Sequence, residues 1–355
     1  MNYYTKERLI NKLKDSTEFL ELSSRSNSSI IISEYGGRPL GIFPKRDSFN
    51  LFWVNQELNT QISERSRDIG GDRYWISPER SFFYKDPQNW DGWFCPEGLD
   101  PGSYEITEKS EEKCVLESPI TIQNQWDDDI YHGNITRTIH LLEEPISTGI
   151  NYCGIEYIDS CTLEHPDLKV NGWSLATVIS GGEKNPGTVL IPTKSKAKPI
   201  SYFQPIPSDR ICIENNYIGY KVDVTEVYKL AIRPEDIDFS IKAKIGYVLD
   251  LPKSDDYGLL MKLSDDIPMS QKDCFDTARD HPNTEIGVIQ SYNSESPNTS
   301  ELRYGEIELQ LNRFETTNGI SKGKSIHKLI GYVGDKDEIL GVIEKYMKIQ
   351  EPILF

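Results

Sequence analysis

Two acidic side chains and an amide recur at every second position in the segment RYGEIELQLNRFE, residues 303–315. On a β-strand, this spacing places Glu306, Glu308 and Gln310 on one face and apolar residues on the other. Such a polar face can grip sugar hydroxyls, and a partly desolvated carboxylate can act as a general base. The same alternation is typical of a strand whose polar face meets solvent, so the pattern leaves both interpretations open.

A second polar and aromatic set lies in DIGGDRYWISPERSFFY, residues 68–84. The Gly-Gly pair permits a tight turn, and in the strand that follows Arg73 and Trp75 share one face. Arginine supplies a rigid fork of donors and tryptophan a flat apolar surface, which together suit a sugar ring. Glu79 is predicted to be either the partner of Arg73 or a further contact with the ligand. The alternative is an arginine–aspartate pair beside a packed tryptophan.

Two histidines occur in the strand-like segment HGNITRTIHLLEE, residues 132–144. Because histidine is the usual proton carrier near neutral pH, His132 is a candidate for sugar binding and His140 for catalysis. A hydrogen-bonded structural role is the alternative for each. On the opposite face from His140, Arg137 stands between two isoleucines, which predicts that it either extends to water or pairs with a buried acid.

The rest of the chain predicts the elements that position these residues. From residue 104 onward, short β-branched and aromatic runs alternate with Gly, Pro, Asn and Asp, which favours an all-β sandwich or barrel. Helical spacing of apolar residues occurs near the two ends, over residues 3–19 and in GDKDEILGVIEKYMKIQ. We therefore predict a single domain, 1–355, with an N-terminal helix at 1–22 and a C-terminal helix at 334–350.

Composition narrows the range of partners. The 355 residues carry a net charge of −17, so we expect neither nucleic acid nor an anionic membrane as a partner. The chain has no apolar run of membrane-spanning length and no apolar segment near residue 1, which predicts a cytoplasmic protein. The six cysteines form no C-x-x-C pair, and nucleotide and metal motifs are absent, so neither a cofactor nor a metal is predicted. Composition does not indicate the oligomeric state.

Three motifs, taken in order, resemble those of the galactose mutarotase-like superfamily. They are SEYGGRPLGIF at 33–43, GGDRYWISPE at 70–79, and GEIELQ with ISKGKSIHKLIGY at 305–332. The second is most similar to uncharacterised families placed in that superfamily. The resemblance covers most of the chain and implies a large antiparallel β-supersandwich with a sugar cleft on its concave face.

The resemblance also implies roles for single residues. In aldose 1-epimerases of this superfamily, a glutamate on a late strand is the general base, a histidine is the general acid and an arginine helps to bind the sugar. By motif, Glu308 matches the base, Glu306 is the second choice and Arg73 resembles the binding arginine. The mid-chain histidine of the epimerases has no counterpart in VNGWSLATVIS, so His140 or His165 would have to fold nearby and replace it.

The sequence therefore predicts a carbohydrate-binding or carbohydrate-processing protein whose ligand is a small-molecule sugar, with mutarotation or epimerisation as the first reaction to test. Two alternatives remain: a non-catalytic sugar-recognition protein, and a structural β protein in which Arg73 lies far from the two glutamates. The predicted site comprises Glu308, Glu306 and His140 as catalytic residues, and Arg73, Trp75, Glu79, His132 and Gln310 as sugar contacts.

Overall fold

The structure is a computed structural model that describes residues 3–23, 28–165, 168–278, 285–294 and 302–355. Strands predominate in this part of the chain. They are β1 (Phe19–Ser23), β2 (Ser29–Ser33), β3 (Arg38–Phe43), β4 (Asp72–Ser77), β5 (Tyr84–Asp86), β6 (Asp91–Trp93), β7 (Glu105–Lys109), β8 (Lys113–Gln123), β9 (Ile130–Leu141), β10 (Asn151–Leu163), β11 (Asn171–Ile179), β12 (Gly187–Pro192), β13 (Ile200–Tyr202), β14 (Ile211–Ile213), β15 (Tyr217–Val222), β16 (Tyr228–Ile232), β17 (Ala243–Asp250), β18 (Tyr257–Leu263), β19 (Ile289–Asn293), β20 (Tyr304–Arg313), β21 (Glu315–Thr317) and β22 (Ile320–Gly334). The helices are α1 (Lys6–Leu13), α2 (Leu58–Ser63), α3 (Glu79–Phe83) and α4 (Lys336–Met347), with 3₁₀ turns at Pro234–Asp236 and Gln271–Asp273.

Two large sheets organise the fold. An eleven-stranded sheet runs in the order β14-β15-β12-β17-β18-β22-β10-β9-β8-β7, with β21 joined to β22, and a six-stranded sheet runs β13-β16-β19-β20-β11-β4. The strand pairs are antiparallel in both sheets. The prediction of an all-β fold, a large antiparallel β-supersandwich with a short helix at each terminus, is confirmed.

Charged side chains cross the interior between the two large sheets. Asp72 of β4 accepts a hydrogen bond from Lys262 of β18 at 2.9 Å, and Arg137 of β9 pairs with Asp159 of β10 at 3.0 Å. All four side chains are fully or almost fully buried. Of the two interpretations offered for Arg137, pairing with a buried acid is the one observed. One face of the six-stranded sheet is therefore directed toward the larger sheet, and the other face is left for a site.

Both terminal helices are shorter than predicted. The helix expected over 1–22 spans only Lys6–Leu13, because the chain from Phe19 pairs with β2 as a strand. The C-terminal helix expected over 334–350 spans Lys336–Met347, since Gly334 ends β22 and Asp335 caps the helix. None of the helices in the described ranges is long and apolar enough to cross a membrane.

Candidate functional site

The register of three neighbouring strands places Arg73 and Glu308 on the outer face of the six-stranded sheet. Leu175 of β11 lies opposite Arg73 of β4 on one side and Glu308 of β20 on the other. Cross-strand partners project from the same face of a sheet. The alternation predicted for β20 is therefore correct, but its polar face does not meet solvent, since the strand is buried on both faces from Tyr304 to Leu311.

A cleft of about 550 Å³ opens on this face. Its size lies within the range typical of small-molecule sites. Its walls combine seven aromatic side chains with three cationic and two acidic ones. They are Trp75, Tyr84, Trp93, Trp173, Phe203, Tyr292 and Tyr304, with Arg67, Arg73, Lys229, Glu79 and Glu306.

The predicted arginine forms a buried ion pair at one wall of the cleft. The Arg73 guanidinium bonds to Oε1 of Glu306, and it also lies 4.5 Å from the centre of the Trp75 ring. Burial disfavours the charged guanidinium, but the Glu306 carboxylate and the other acidic groups nearby together outweigh this, so the pKa of Arg73 is raised. Trp75 is fixed from behind, where its indole nitrogen donates to Asp100 at 2.8 Å. Arg73, Trp75 and Glu306 thus form one rigid unit.

Glu308 lies beneath the cleft floor. One of its oxygens, Oε2, accepts from Lys229 at 2.9 Å and from the Trp173 indole at 3.0 Å. The other, Oε1, is buried and has no partner in the described part of the chain. Burial raises the pKa of Glu308, partly countered by Lys229, and Glu306 raises it further. Lys229 and Trp173, and not Glu308, present their atoms to the cleft.

Glu79 differs from the other carboxyl groups of the cleft. It is the first residue of α3, and its backbone N–H donates to the carbonyl of Asp276 at 2.6 Å. Its Oε1 accepts from the Trp93 indole at 2.9 Å, and no cation in the described ranges pairs with it. Burial raises its pKa to about 7, with Lys229 and the Trp93 hydrogen bond opposing the rise. Glu79 can therefore change protonation near neutral pH.

The remaining predicted residues lie away from the cleft. Gln310 is buried and bonds to the backbone of Phe275 at 2.7 Å and 3.1 Å. His132 is exposed and lies 3.1 Å from the Thr121 hydroxyl on β8, and His140 lies opposite Lys113 on the same pair of strands. Because β9 belongs to the larger sheet, neither histidine reaches the cleft.

Two further histidines, His165 and His327, also lie away from the cleft. His165 lines a different groove and His327 pairs with Asp159 at 2.8 Å between the sheets, whereas His281 lies outside the described residues. No described histidine lines the cleft. None of the described histidines is therefore placed to act as a general acid on a ligand in the cleft.

Sequence reasoning missed several residues of the cleft. Lys229 could have been found by the argument applied to Arg137, because it is a single charged residue within an apolar strand, YKLAI. Trp93 occurs in the Trp- and Gly-rich segment before residue 100 and Arg67 just before the Gly-Gly turn, but nothing local tells which side of the molecule they face. No group of three potential metal-binding side chains occurs among the residues that the structure describes.

Comparison with known proteins gives a partial family match and a set of distant structures. A family of unknown function (DUF6786) matches residues 3–156, less than half of the chain. No curated protein matches. The backbone is similar to a GalM/aldose epimerase homologue from C. elegans, with 10% identity, a TM-score of 0.44, and 90% of this chain and 99% of that one covered.

Two further solved structures have comparable likeness. They are a galactose mutarotase-like protein from Clostridium acetobutylicum (10% identity, TM-score 0.40, 90% and 99% covered) and galactose 1-epimerase from Lactobacillus acidophilus (9% identity, TM-score 0.40, 94% and 98% covered). Every one of these TM-scores is below 0.5. The function proposed below therefore rests on the side chains of the cleft itself.

Proposed function

We propose that this protein binds a carbohydrate in the cleft on its six-stranded sheet. The supporting observation is the combination of tryptophan and tyrosine rings with Arg73, Glu306, Lys229 and Glu79 around a space of about 550 Å³. A sugar ring offers C–H faces that pack on aromatic side chains and hydroxyls that bond to charged groups.

The charges of the cleft favour a neutral ligand. Arg73 is paired with Glu306 and Lys229 with Glu308, while Arg67 pairs with Asp68 at 3.1 Å. Each cation therefore already has its counter-charge within the protein. A polyhydroxylated neutral molecule can use these fixed dipoles without having to replace an ion pair.

Sugar binding is tested by calorimetric titration of a panel of aldoses, supported by tryptophan fluorescence, since three of the six tryptophans line the cleft. Trp93→Ala removes a ring that is 41% exposed, so the fold should tolerate it, and we expect about tenfold weaker binding, ~1.4 kcal/mol. Lys113→Ala, in an exposed ion pair on the larger sheet, is the matched control and should bind normally. Absence of saturable binding for every sugar would overturn the proposal.

A second candidate, sugar mutarotation, is favoured by Glu79 in particular. In this reaction a base takes the proton of the anomeric hydroxyl, the bond from C1 to the ring oxygen breaks, and an acid protonates that oxygen. The open-chain aldehyde then closes on its other face with the proton transfers reversed. We assign the acid to Glu79 and the base to Glu306, since Glu308, the first choice from the motif, is enclosed behind Lys229 and Trp173.

Polarimetry of freshly dissolved sugars separates the enzyme from a passive binder. If Glu79 donates the proton, Glu79→Gln should lower the rate by about 10²- to 10⁴-fold while sugar affinity is kept. The wild-type rate should also fall as the pH rises through about 7, where Glu79 loses its proton. If no sugar that binds mutarotates faster than in buffer, the catalytic candidate is wrong and the binding proposal stands.

A further inference from the structure

A second groove lies directly beside the cleft. It has a volume of about 490 Å³, and its lining includes Pro78, Arg80, Trp126, Tyr131 and Phe275. The groove shares with the cleft the combination of aromatic rings with charged and hydrogen-bonding groups. Nothing in the proposed function uses it.

One thin wall separates the groove from the cleft. Within α3 and the residue before it, Glu79 lines the cleft whereas Pro78 and Arg80 line the groove. On the facing segment, Thr277 belongs to the cleft and Asp276 to the groove. The Glu79 N–H bonds to the Asp276 carbonyl at 2.6 Å and joins the two halves of this wall. The two spaces therefore lie next to each other, on the two sides of this wall.

Trp126 forms a fixed aromatic platform at the groove. Its side chain is 51% exposed, and its backbone N–H is held by the Asn124 side chain at 3.1 Å. The Arg80 guanidinium lies 5.1 Å from the Trp126 ring and 4.8 Å from the Trp90 ring. The exposed part of the Trp126 ring offers a flat apolar surface to a ligand, and tryptophan is enriched at binding interfaces.

Arg80 is itself held in place. Its Nε donates to the carbonyl of Pro87 at 2.5 Å and its Nη2 to that of Gln88 at 2.9 Å. Both carbonyls belong to the turn between β5 and β6, the hairpin that also carries Trp93 into the cleft. The same hairpin therefore supports a ring in each of the two spaces.

We propose that this groove is a second sugar subsite and that the ligand is an oligosaccharide, with one unit in the cleft and a following unit on Trp126. The inference rests on the proposed function and extends it from a single sugar to a chain. Its basis is the shared wall and the repeated chemistry, in which a flat ring stands beside Asn124, Asp127 and His165. The protein's charge of −17 disfavours a phosphate-bearing chain in the same place.

The test compares a monosaccharide with the di-, tri- and tetrasaccharide built from it, using two such series, glucose with malto-oligosaccharides and galactose with its β-linked oligomers. We expect at least about tenfold tighter calorimetric binding of the longer sugars to the wild-type protein. Trp126→Ala should remove this gain and leave monosaccharide affinity unchanged. Trp126→Phe, which keeps a smaller ring, should retain part of it.

Ile213→Ala is the matched control, because Ile213 is 53% exposed on β14 of the larger sheet, and it should leave both affinities unchanged. Circular dichroism confirms that each variant is folded. Equal affinity for short and long sugars, or a length effect that survives Trp126→Ala, overturns the subsite while the cleft proposal stands. Failure of every sugar to bind overturns both.

Discussion

At the scale of single residues, Glu79 is held in a state that depends on pH. Its carboxyl is buried at the cleft wall, which raises its pKa from the ordinary 4.5 to about 7. Between these two values the native state keeps a proton that the unfolded chain has released. Stability therefore falls as the pH rises from about 4.5 to about 7, by about 3 kcal/mol in total at 1.36 kcal/mol per pKa unit.

Glu79→Gln tests this linkage, because glutamine keeps an oxygen for the Trp93 hydrogen bond and cannot ionise. We expect the variant to match the wild-type protein near about pH 4, below the unfolded pKa, and to exceed it by up to about 3 kcal/mol near about pH 8. Urea unfolding over this pH range measures the difference. If the two profiles stay parallel, the Glu79 carboxyl is not desolvated in the way the structure indicates.

At the scale of elements, β4 links the cleft to the interior of the sandwich. Arg73 faces the cleft, whereas the preceding Asp72 faces the larger sheet and bonds to Lys262 at 2.9 Å. Ser174 completes this interior contact, since its hydroxyl lies 3.0 Å from Asp72 and 2.6 Å from Lys262. Burial opposes ionisation of Asp72, but the nearby Lys262 and Arg137 charges outweigh it and lower its pKa.

Removing the lysine should leave a buried carboxylate without its nearest counter-charge. We expect Lys262→Met to cost about 3–5 kcal/mol of unfolding free energy, and the double variant with Asp72→Asn to recover part of it. Lys113→Met is the control: it breaks an exposed pair with Glu108 and should cost no more than about 1 kcal/mol. A Lys262→Met protein as stable as this control would show that the ion pair does not anchor β4.

The sequence predicted the parts of the site that depend on one strand. Alternation along β4 correctly predicted that Arg73 and Trp75 share one face of that strand. Alternation along β20 correctly predicted the same for Glu306 and Glu308. Which strands become neighbours is a long-range property, so the pattern could not show that β11 lies between them and brings Trp173 over Glu308. For the same reason His140 was wrongly predicted to belong to the site. The prediction rested on its residue type, and its strand belongs to the other sheet.

Burial of β20 also exceeded what its pattern indicated. A polar alternation is typical of a half-exposed strand, yet Glu306 and Glu308 are both buried, and they pair with Arg73 and Lys229 respectively. These two cations come from β4 and β16, far away in the sequence. The fold class, in contrast, depends on many short strands and turns together, and it was predictable from their spacing.

At the scale of the whole molecule, the charge of −17 should make stability depend on salt. Binding of a neutral ligand in the cleft should depend on salt very little. Added salt screens the repulsion between exposed acidic groups, so the melting temperature should rise between about 20 mM and about 500 mM NaCl. The ion pairs of the cleft are buried and internally neutralised. A neutral sugar should therefore bind with an affinity that changes by less than about twofold over the same range.

Calorimetric titrations at the two salt concentrations, with the melting temperature measured alongside, check both parts. The two readouts are expected to differ because screening acts on exposed charges that repel across the surface, whereas a neutral ligand has no charge on which that screening could act. The sugar-phosphate analogue of the best ligand is the matched probe, since its binding should respond to salt. If the affinity for the neutral sugar instead falls steeply with salt, a net charge of the cleft contributes to binding. That outcome would contradict the internal pairing of Arg73 and Lys229 with their glutamates.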